Sequence, residues 1–161
     1  MNKAGYRDYQ RFSADLAESG QVLTGGKVLT EDQYAKGYFC APTLVELPLD
    51  HHLWQEEMFL PITTLARVDT LDQAMQIAND VNYGLTGGFY GAADEVDWFF
   101  ENIEAGVTYA NRPQGATTGA WPGFQPFGGW KGSGSTGKNA GGVHYLQLYM
   151  HEQIRTRVTR G

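Results

Sequence analysis

Ile62–Asn111 reads ITTLARVDTLDQAMQIANDVNYGLTGGFYGAADEVDWFFENIEAGVTYAN, and this stretch decides the fold. ITTLARV is short, apolar and rich in β-branched residues, as a strand should be. Thr70 then stands where a helix would be capped, with Gln73 at the third position in capping-box fashion. Leu71, Ala74, Met75 and Ala78 supply that helix with an apolar stripe. Asn82, Gly84 and the pair Gly87-Gly88 mark a turn, and LTGGFYG reads as a strand with a close backbone approach. Asp94–Glu104 repeats the helical pattern with Val96, Phe99, Phe100 and Ile103, and Gly106 lies just past its end. VTYAN is again strand-like. The order β–α–β–α–β with connections of this length predicts an α/β fold built on a parallel sheet with right-handed crossovers.

Upstream, GYRDYQRFSADLAES (5–19) puts Tyr6, Tyr9, Phe12 and Leu16 on one helical face, and Gly20 sits where that helix would stop. VLTGGKVL (22–29) brackets Gly25-Gly26 with apolar runs and predicts a hairpin or bent strand. TEDQYAKG is a polar surface turn. YFCAPTLVEL is strand-like, with Pro42 demanding an edge or an irregularity.

Downstream, residues 111–138 (NRPQGATTGAWPGFQPFGGWKGSGSTGK) hold three of the 6 prolines and two of the 4 tryptophans. So much Gly and Pro excludes a helix or a central strand. The run is too aromatic for a solvated linker, so an ordered and functional loop is expected. HYLQLYMHEQ then alternates in period two, predicting a terminal strand in want of a partner, a second subunit being one source.

A length of 161 residues suits one domain with a real core, and no second-domain boundary or repeat is visible. A formal net charge of −6 gives no footing for nucleic-acid binding. Arg155, Arg157 and Arg160 read as a solvated tail. The single cysteine, Cys40, rules out an internal disulfide. No apolar run approaches a membrane span and no signal-peptide pattern opens the sequence, so a cytoplasmic setting without membrane partners is expected.

Several residues invite chemistry. Gly132–Lys138 (GSGSTGK) fits the start of a phosphate-binding P-loop, but Asn139 follows where Ser or Thr is needed, and neither flank reads as strand or helix. Cys40 lies in an apolar strand without a His or basic neighbour, which favours a structural thiol over a nucleophile. His51 and His52, being adjacent, are expected to point apart and to hold no metal. His144 and His151 lie in the tail. Glu56-Glu57, before Met58-Phe59, reads either as a solvated turn or as a carboxylate for sugar hydroxyls with Phe59 as a flat apolar wall.

QEEMFLP, NDVNYGLTGG, EAGVTYANR, QPFGGWKGSGSTGK and the final YLQLY together resemble the aldehyde dehydrogenase superfamily, in its order and spacing. GYFCAPTLVE is similar to the strand that precedes its Glu-Glu motif. Within the superfamily, TGAWPGFQPFGG most resembles the substrate-anchor loop of the 1-pyrroline-5-carboxylate (L-glutamate γ-semialdehyde) dehydrogenases. The resemblance implies a partial catalytic-domain α/β unit over 1–142, with the anchor loop at 111–138 and an oligomerisation tail at 143–161.

The same resemblance implies that Glu57 accepts hydrogen bonds from the nicotinamide ribose of NAD or NADP and that Phe59 packs beside the nicotinamide. It has Gly119 and Ala120 offer backbone N–H groups to the substrate carboxylate, and Phe127 wall the aldehyde tunnel. Asn111 opens the anchor loop and carries no assigned chemistry. Leu60 departs from the family's usual Gly between Phe and Pro. The family's nucleophilic Cys, general-base Glu and Rossmann segment lie upstream of the Glu-Glu motif, and nothing before Gln55 matches them. The expectation is therefore a C-terminal segment, inactive alone, whose partners are further copies or a missing N-terminal half. The alternative is a catalytically inert assembly module.

Overall fold

The computed structural model describes residues 1–113, 123–134 and 140–159. It divides into two compact units, Met1–Thr70 and Leu71–Gly161, a division the composition does not announce.

The first unit opens with α1 (Lys3–Ser19), whose first turn is capped by Asn2, the side chain accepting from the Gly5 N–H at 2.8 Å. Tyr9, Phe12, Ser13 and Leu16 form its buried face, three of them as the 3.6-residue period predicts, while Tyr6 is half-buried against Tyr38. Gly20 ends the helix for a reason of space, since its backbone is extended (φ −133°). A Cβ there would meet the Glu46 carbonyl oxygen and a Leu47 methyl at 2.6 Å.

β1 (Gln21–Thr24), β2 (Val28–Leu29), β3 (Phe39–Cys40), β4 (Thr43–Glu46) and β5 (Ile62–Leu65) follow. Of the two expectations for 22–29, the bent strand holds and the hairpin does not. β1 pairs antiparallel with β4, and β2 pairs with β3. Gly25 and Gly26 adopt positive φ, at 80° and 72°, and stand at the bend between the two halves. Pairing with β4 lets β1 border Val45, which is fully buried, and a hairpin with the half-buried β2 offers no such core. Pro42 breaks the YFCAPTLVEL run into β3 and β4 as its missing donor requires. β4 then pairs parallel with β5, giving the order β1-β4-β5.

The core of this unit is Phe12, Leu16, Val45, Leu47 and Leu53, with Val22, Trp54, Met58, Leu60 and Ile62 packed around it. Tyr9 is fully buried, and its hydroxyl is satisfied by the Ala41 carbonyl at 2.8 Å and by Thr43 Oγ1 at 2.6 Å.

The second unit contains α2 (Leu71–Asn79), β6 (Tyr83–Gly84), β7 (Thr86–Phe89), α3 (Ala93–Asn102), β8 (Val107–Ala110) and β9 (Trp130–Lys131). α2 begins directly after Thr70. It buries Met75 and half-buries Ala74 and Ile77, whereas Leu71 and Ala78, placed on the expected stripe, are exposed. Glu95 reaches back to the Ala92 N–H at 2.7 Å and starts α3. β7 and β8 pair parallel across α3, and Phe89 stacks on Phe99 at 5.1 Å.

The single parallel sheet expected over 62–111 is thus two parallel pairs in separate sheets, β4-β5 and β7-β8. A helix between two strands makes the crossover, but edges join only where each strand finds the other's N–H and C=O groups in register.

The expected terminal strand is also absent. Leu146–Tyr149 is a 3-10 turn, and 150–159 carries no regular structure, with its side chains exposed. A period-two pattern forms a strand only against a neighbour that takes its backbone groups, and no such neighbour lies among the described residues. No helix among the described residues is long and apolar enough to cross a membrane.

Candidate functional site: the 51–60 loop and the ends of the 111–138 loop

In the first unit, the loop between β4 and β5 is built from its hydrogen bonds outward. His51 Nδ1 accepts from the Leu53 N–H at 3.3 Å and starts a 3-10 turn over His52–Trp54. Leu53 drops into the core, and Trp54 Nε1–H donates to the Pro48 carbonyl at 2.7 Å. Beyond this turn Glu56 and Glu57 are exposed, and Glu57 makes no hydrogen bond or ion pair among the described residues.

Met58 and Leu60 both pack against the core, and Phe59 between them is 87% exposed at φ 53°. An aromatic residue in the left-handed region is strained by about 1–2 kcal/mol. The two apolar anchors on either side hold it there. The Ile62 N–H then donates to the Leu60 carbonyl at 2.8 Å, and the Thr43 N–H to the Pro61 carbonyl at 2.9 Å, returning the chain to the sheet.

The result is a carboxylate and a flat aromatic face two residues apart, both open to solvent on a fixed backbone. A carboxylate can accept two hydroxyl hydrogens at once, and an aromatic face covers a planar ring. Leu60, the departure from the family's Gly, has a packing reason, since its side chain is one of the two anchors. Phe59 and Leu60 also border a shallow groove of about 340 Å³ beside the first turn of α1, with Asn2 and Asp8 on its other side.

In the second unit both ends of the 111–138 loop are pinned. Asn111 sits at φ 49°; its Oδ1 accepts from the Gly91 N–H at 3.0 Å and its Nδ2–H donates to the Gly91 carbonyl at 2.9 Å. Tyr90 donates its hydroxyl to the Arg112 carbonyl at 2.8 Å. At the far end, Phe127 exchanges backbone hydrogen bonds with Ala140 at 2.7 and 3.0 Å. Gly106 packs so closely on the Gly128 carbonyl that a Cβ has no room.

β9 then pairs with β6, and Ser133 Oγ accepts from the Gly84 N–H at 3.0 Å. Lys131, at φ 51°, reaches Glu104 and the Asn79 carbonyl. The Asn79 side chain in turn ties the end of α2 to the Asn102 carbonyl at 2.8 Å and to the Glu104 N–H at 2.9 Å. Phe127 is therefore half-buried on a well-held segment. Gly119 and Ala120 lie outside the described residues, as does Lys138 of the P-loop-like run. The residues before that run form only the two-residue β9, and no α-helix follows it among the described residues.

Cys40, on β3, is half-buried with its sulfur 3.6 Å from Met1 Sδ. Burial pushes the thiol above its ordinary value, the reverse of what a nucleophile requires. His51 and His52 do not point apart. Their rings lie 4.6 Å apart at 31°, and both turn toward Asp15 on α1. The extended-chain rule that adjacent side chains diverge fails here because His52 opens a 3-10 turn.

A family model described as "Aldehyde dehydrogenase family" matches residues 1–154. The chain belongs to that family. It is 36% identical over 151 residues to a 1-pyrroline-5-carboxylate dehydrogenase of Bacillus thuringiensis (strain Al Hakam), covering 92% of this chain and 28% of that relative. Among solved structures it is similar to 1-pyrroline-5-carboxylate dehydrogenase from Thermus with bound NAD, at 37% identity and a TM-score of 0.80, covering 92% of this chain and 28% of the other. Lactaldehyde dehydrogenase from Escherichia coli is similar at 31% identity and a TM-score of 0.79, covering 94% of this chain and 30% of the other. The chain thus spans well under half the length of these aldehyde dehydrogenases.

The sequence missed the clamps, Asn111 on Gly91 and Asn79 between the helix ends. The one signal available for Asn111 was its residue type, since Asn tolerates the left-handed region better than most.

Proposed function

We propose that this chain is the C-terminal segment of an NAD(P)-dependent aldehyde dehydrogenase that oxidises L-glutamate γ-semialdehyde to glutamate. The observation that carries the reading is the loop at 57–60, where an exposed carboxylate precedes an exposed aromatic held at positive φ. Strain of this kind persists where surrounding packing over-determines it, and it clusters at ligand sites. Glu57 would accept from the ribose hydroxyls of the nicotinamide side, and Phe59 would lie along the ring. When bound, the nicotinamide supplies the hydride acceptor; these two residues fix its orientation.

Gly119 and Ala120 would present backbone N–H groups to the substrate carboxylate, and Phe127 would wall the aldehyde channel. The likeness to 1-pyrroline-5-carboxylate dehydrogenases supports this substrate class, and the TGAWPGF run supports it further. The reaction also needs a thiolate nucleophile, and Cys40 is a poor one for the reason given above. That nucleophile would come from polypeptide beyond these residues, so the chain by itself would not turn over an aldehyde. Residues 143–161 would serve as an oligomerisation tail, with the exposed Leu146, Leu148, Met150 and Ile154 as its apolar content.

The test is to mix the pure chain with NAD and L-glutamate γ-semialdehyde, with and without a polypeptide carrying the family's upstream half. Reduced nicotinamide appearing only in the complemented mixture supports the reading. None in either mixture supports an inert assembly module instead. A preference for lactaldehyde in the complemented mixture would overturn the substrate assignment alone.

A further inference from the structure

Asp15 lies toward the C-terminal end of α1, and His51 and His52 start the 3-10 turn that leads into the 55–60 loop. His51 Nε2 is 3.6 Å from Asp15 Oδ1, and His52 Nε2 is 3.4 Å from Asp15 Oδ2. The donor atoms of all three lie within 4.8 Å of one another.

A tetrahedral zinc-class ion with ligands at about 2.0–2.2 Å sets neighbouring donors roughly 3.3–3.6 Å apart. Each Asp15–imidazole separation is near that spacing, His51 facing one carboxylate oxygen and His52 the other, and the first is longer than a hydrogen bond. With one oxygen of Asp15 as the donor, all three ligand atoms lie within 4.8 Å, so a small closure of the cluster seats an ion between them. Two imidazoles and one carboxylate suit zinc, cobalt or nickel rather than calcium or magnesium, which prefer all-oxygen shells. The site is graded in exposure, which gives an ion a way in: the His51 side chain is 8% exposed, Asp15 35% and His52 63%.

We propose that Asp15, His51 and His52 form a binding site for a divalent transition-metal ion of the zinc class, with one position open to water. The ion links α1 to the turn that delivers Glu57 and Phe59. Its binding has a tautomeric cost. In the metal-free chain the Leu53 N–H donates to His51 Nδ1, so the ring hydrogen sits on Nε2. Coordination through Nε2 moves that hydrogen to Nδ1 and gives up the 3.3 Å bond to Leu53, the longest of the bonds that hold this turn.

The experiment titrates the metal-stripped full chain with Co²⁺ and Zn²⁺, following cobalt visible absorption and calorimetric stoichiometry. The expected result is one ion per chain, an intense tetrahedral cobalt spectrum, and an unfolding temperature that rises with zinc concentration. His52→Ala removes an exposed side chain and so tests the site without threatening the core; it is expected to weaken binding about 10- to 100-fold or more. Asp15→Asn is expected to do the same, while His144→Ala with His151→Ala leaves binding unchanged. No saturable binding, or affinity unmoved by His52→Ala and Asp15→Asn, would overturn the assignment.

Discussion

Phe59→Gly separates a ligand-facing aromatic from a packing one. A buried Phe truncated in a core costs about 3–5 kcal/mol. Phe59 is 87% exposed, so little more than a tenth of that burial is at stake, roughly 0.5 kcal/mol. Against this, Gly at φ 53° releases about 1–2 kcal/mol of left-handed strain. It also adds back about 0.5–1 kcal/mol of unfolded-chain entropy. The terms nearly cancel, and the expected change lies within about 1 kcal/mol of zero. For a chain of this length that is a shift of about 2–4 °C at most in Tm.

Phe59→Ala keeps the strain and loses the ring, so it should be the less stable of the two variants by about 1 kcal/mol. Circular dichroism melts of the wild-type chain and both variants measure this directly. In the complemented enzyme, both variants should raise the KM for NAD if, as proposed, this ring lies along the nicotinamide. A Phe59→Gly loss above about 2 kcal/mol would refute the argument, because it would mean that the ring is a structural anchor.

Other residues offer sharper structural tests. Leu60→Gly, which restores the family's usual residue, removes one of the two anchors around Phe59 and should cost about 2–4 kcal/mol in urea unfolding. Gly106→Ala drives a methyl group into the Gly128 carbonyl and should cost about 1–3 kcal/mol, with faster amide exchange across 127–134 as the local readout. Asn111→Ala loses both bonds to Gly91 and leaves alanine at φ 49°, a loss of about 1–3 kcal/mol; Asn111→Gly relieves the backbone and should recover part of it. Cys40 should alkylate more slowly than a free thiol at neutral pH, because burial raises its pKa and leaves less thiolate. By the same sign, its contribution to stability is complete below the ordinary thiol value of 9.0 and is lost as pH climbs above it.

The helices were legible in the sequence because a 3.6-residue apolar period needs no partner to be recognised. Tyr9, Phe12 and Leu16 are buried on the face that spacing assigned to them. Strands were harder, since a strand is defined by what lies beside it. VLTGGKVL carries every local mark of a hairpin, yet its halves pair with β4 and β3, because Val45 gave β1 a fully buried neighbour. YLQLY alternates like a strand and coils into a 3-10 turn where nothing takes its ladder. At the candidate site, residue types were legible and directions were not. Glu57 and Phe59 were singled out by kind, but only the burial of Met58 and Leu60 explains why Phe59 faces outward. The convergence of His51 and His52 on Asp15 depended on a turn that no pattern announced.

Among the described residues, three of the four non-glycine residues at positive φ stand at the loops for which function is proposed: Phe59, Asn111 and Lys131. Each is over-determined by a different device. Phe59 has an apolar anchor on either side, Asn111 has two bonds to one glycine, and Lys131 joins Glu104 and the Asn79 carbonyl while pairing with Tyr83. On this reasoning Leu60 belongs with Phe59: where a glycine would let the backbone turn freely, the leucine fixes the turn from beneath and leaves the aromatic face above it clear.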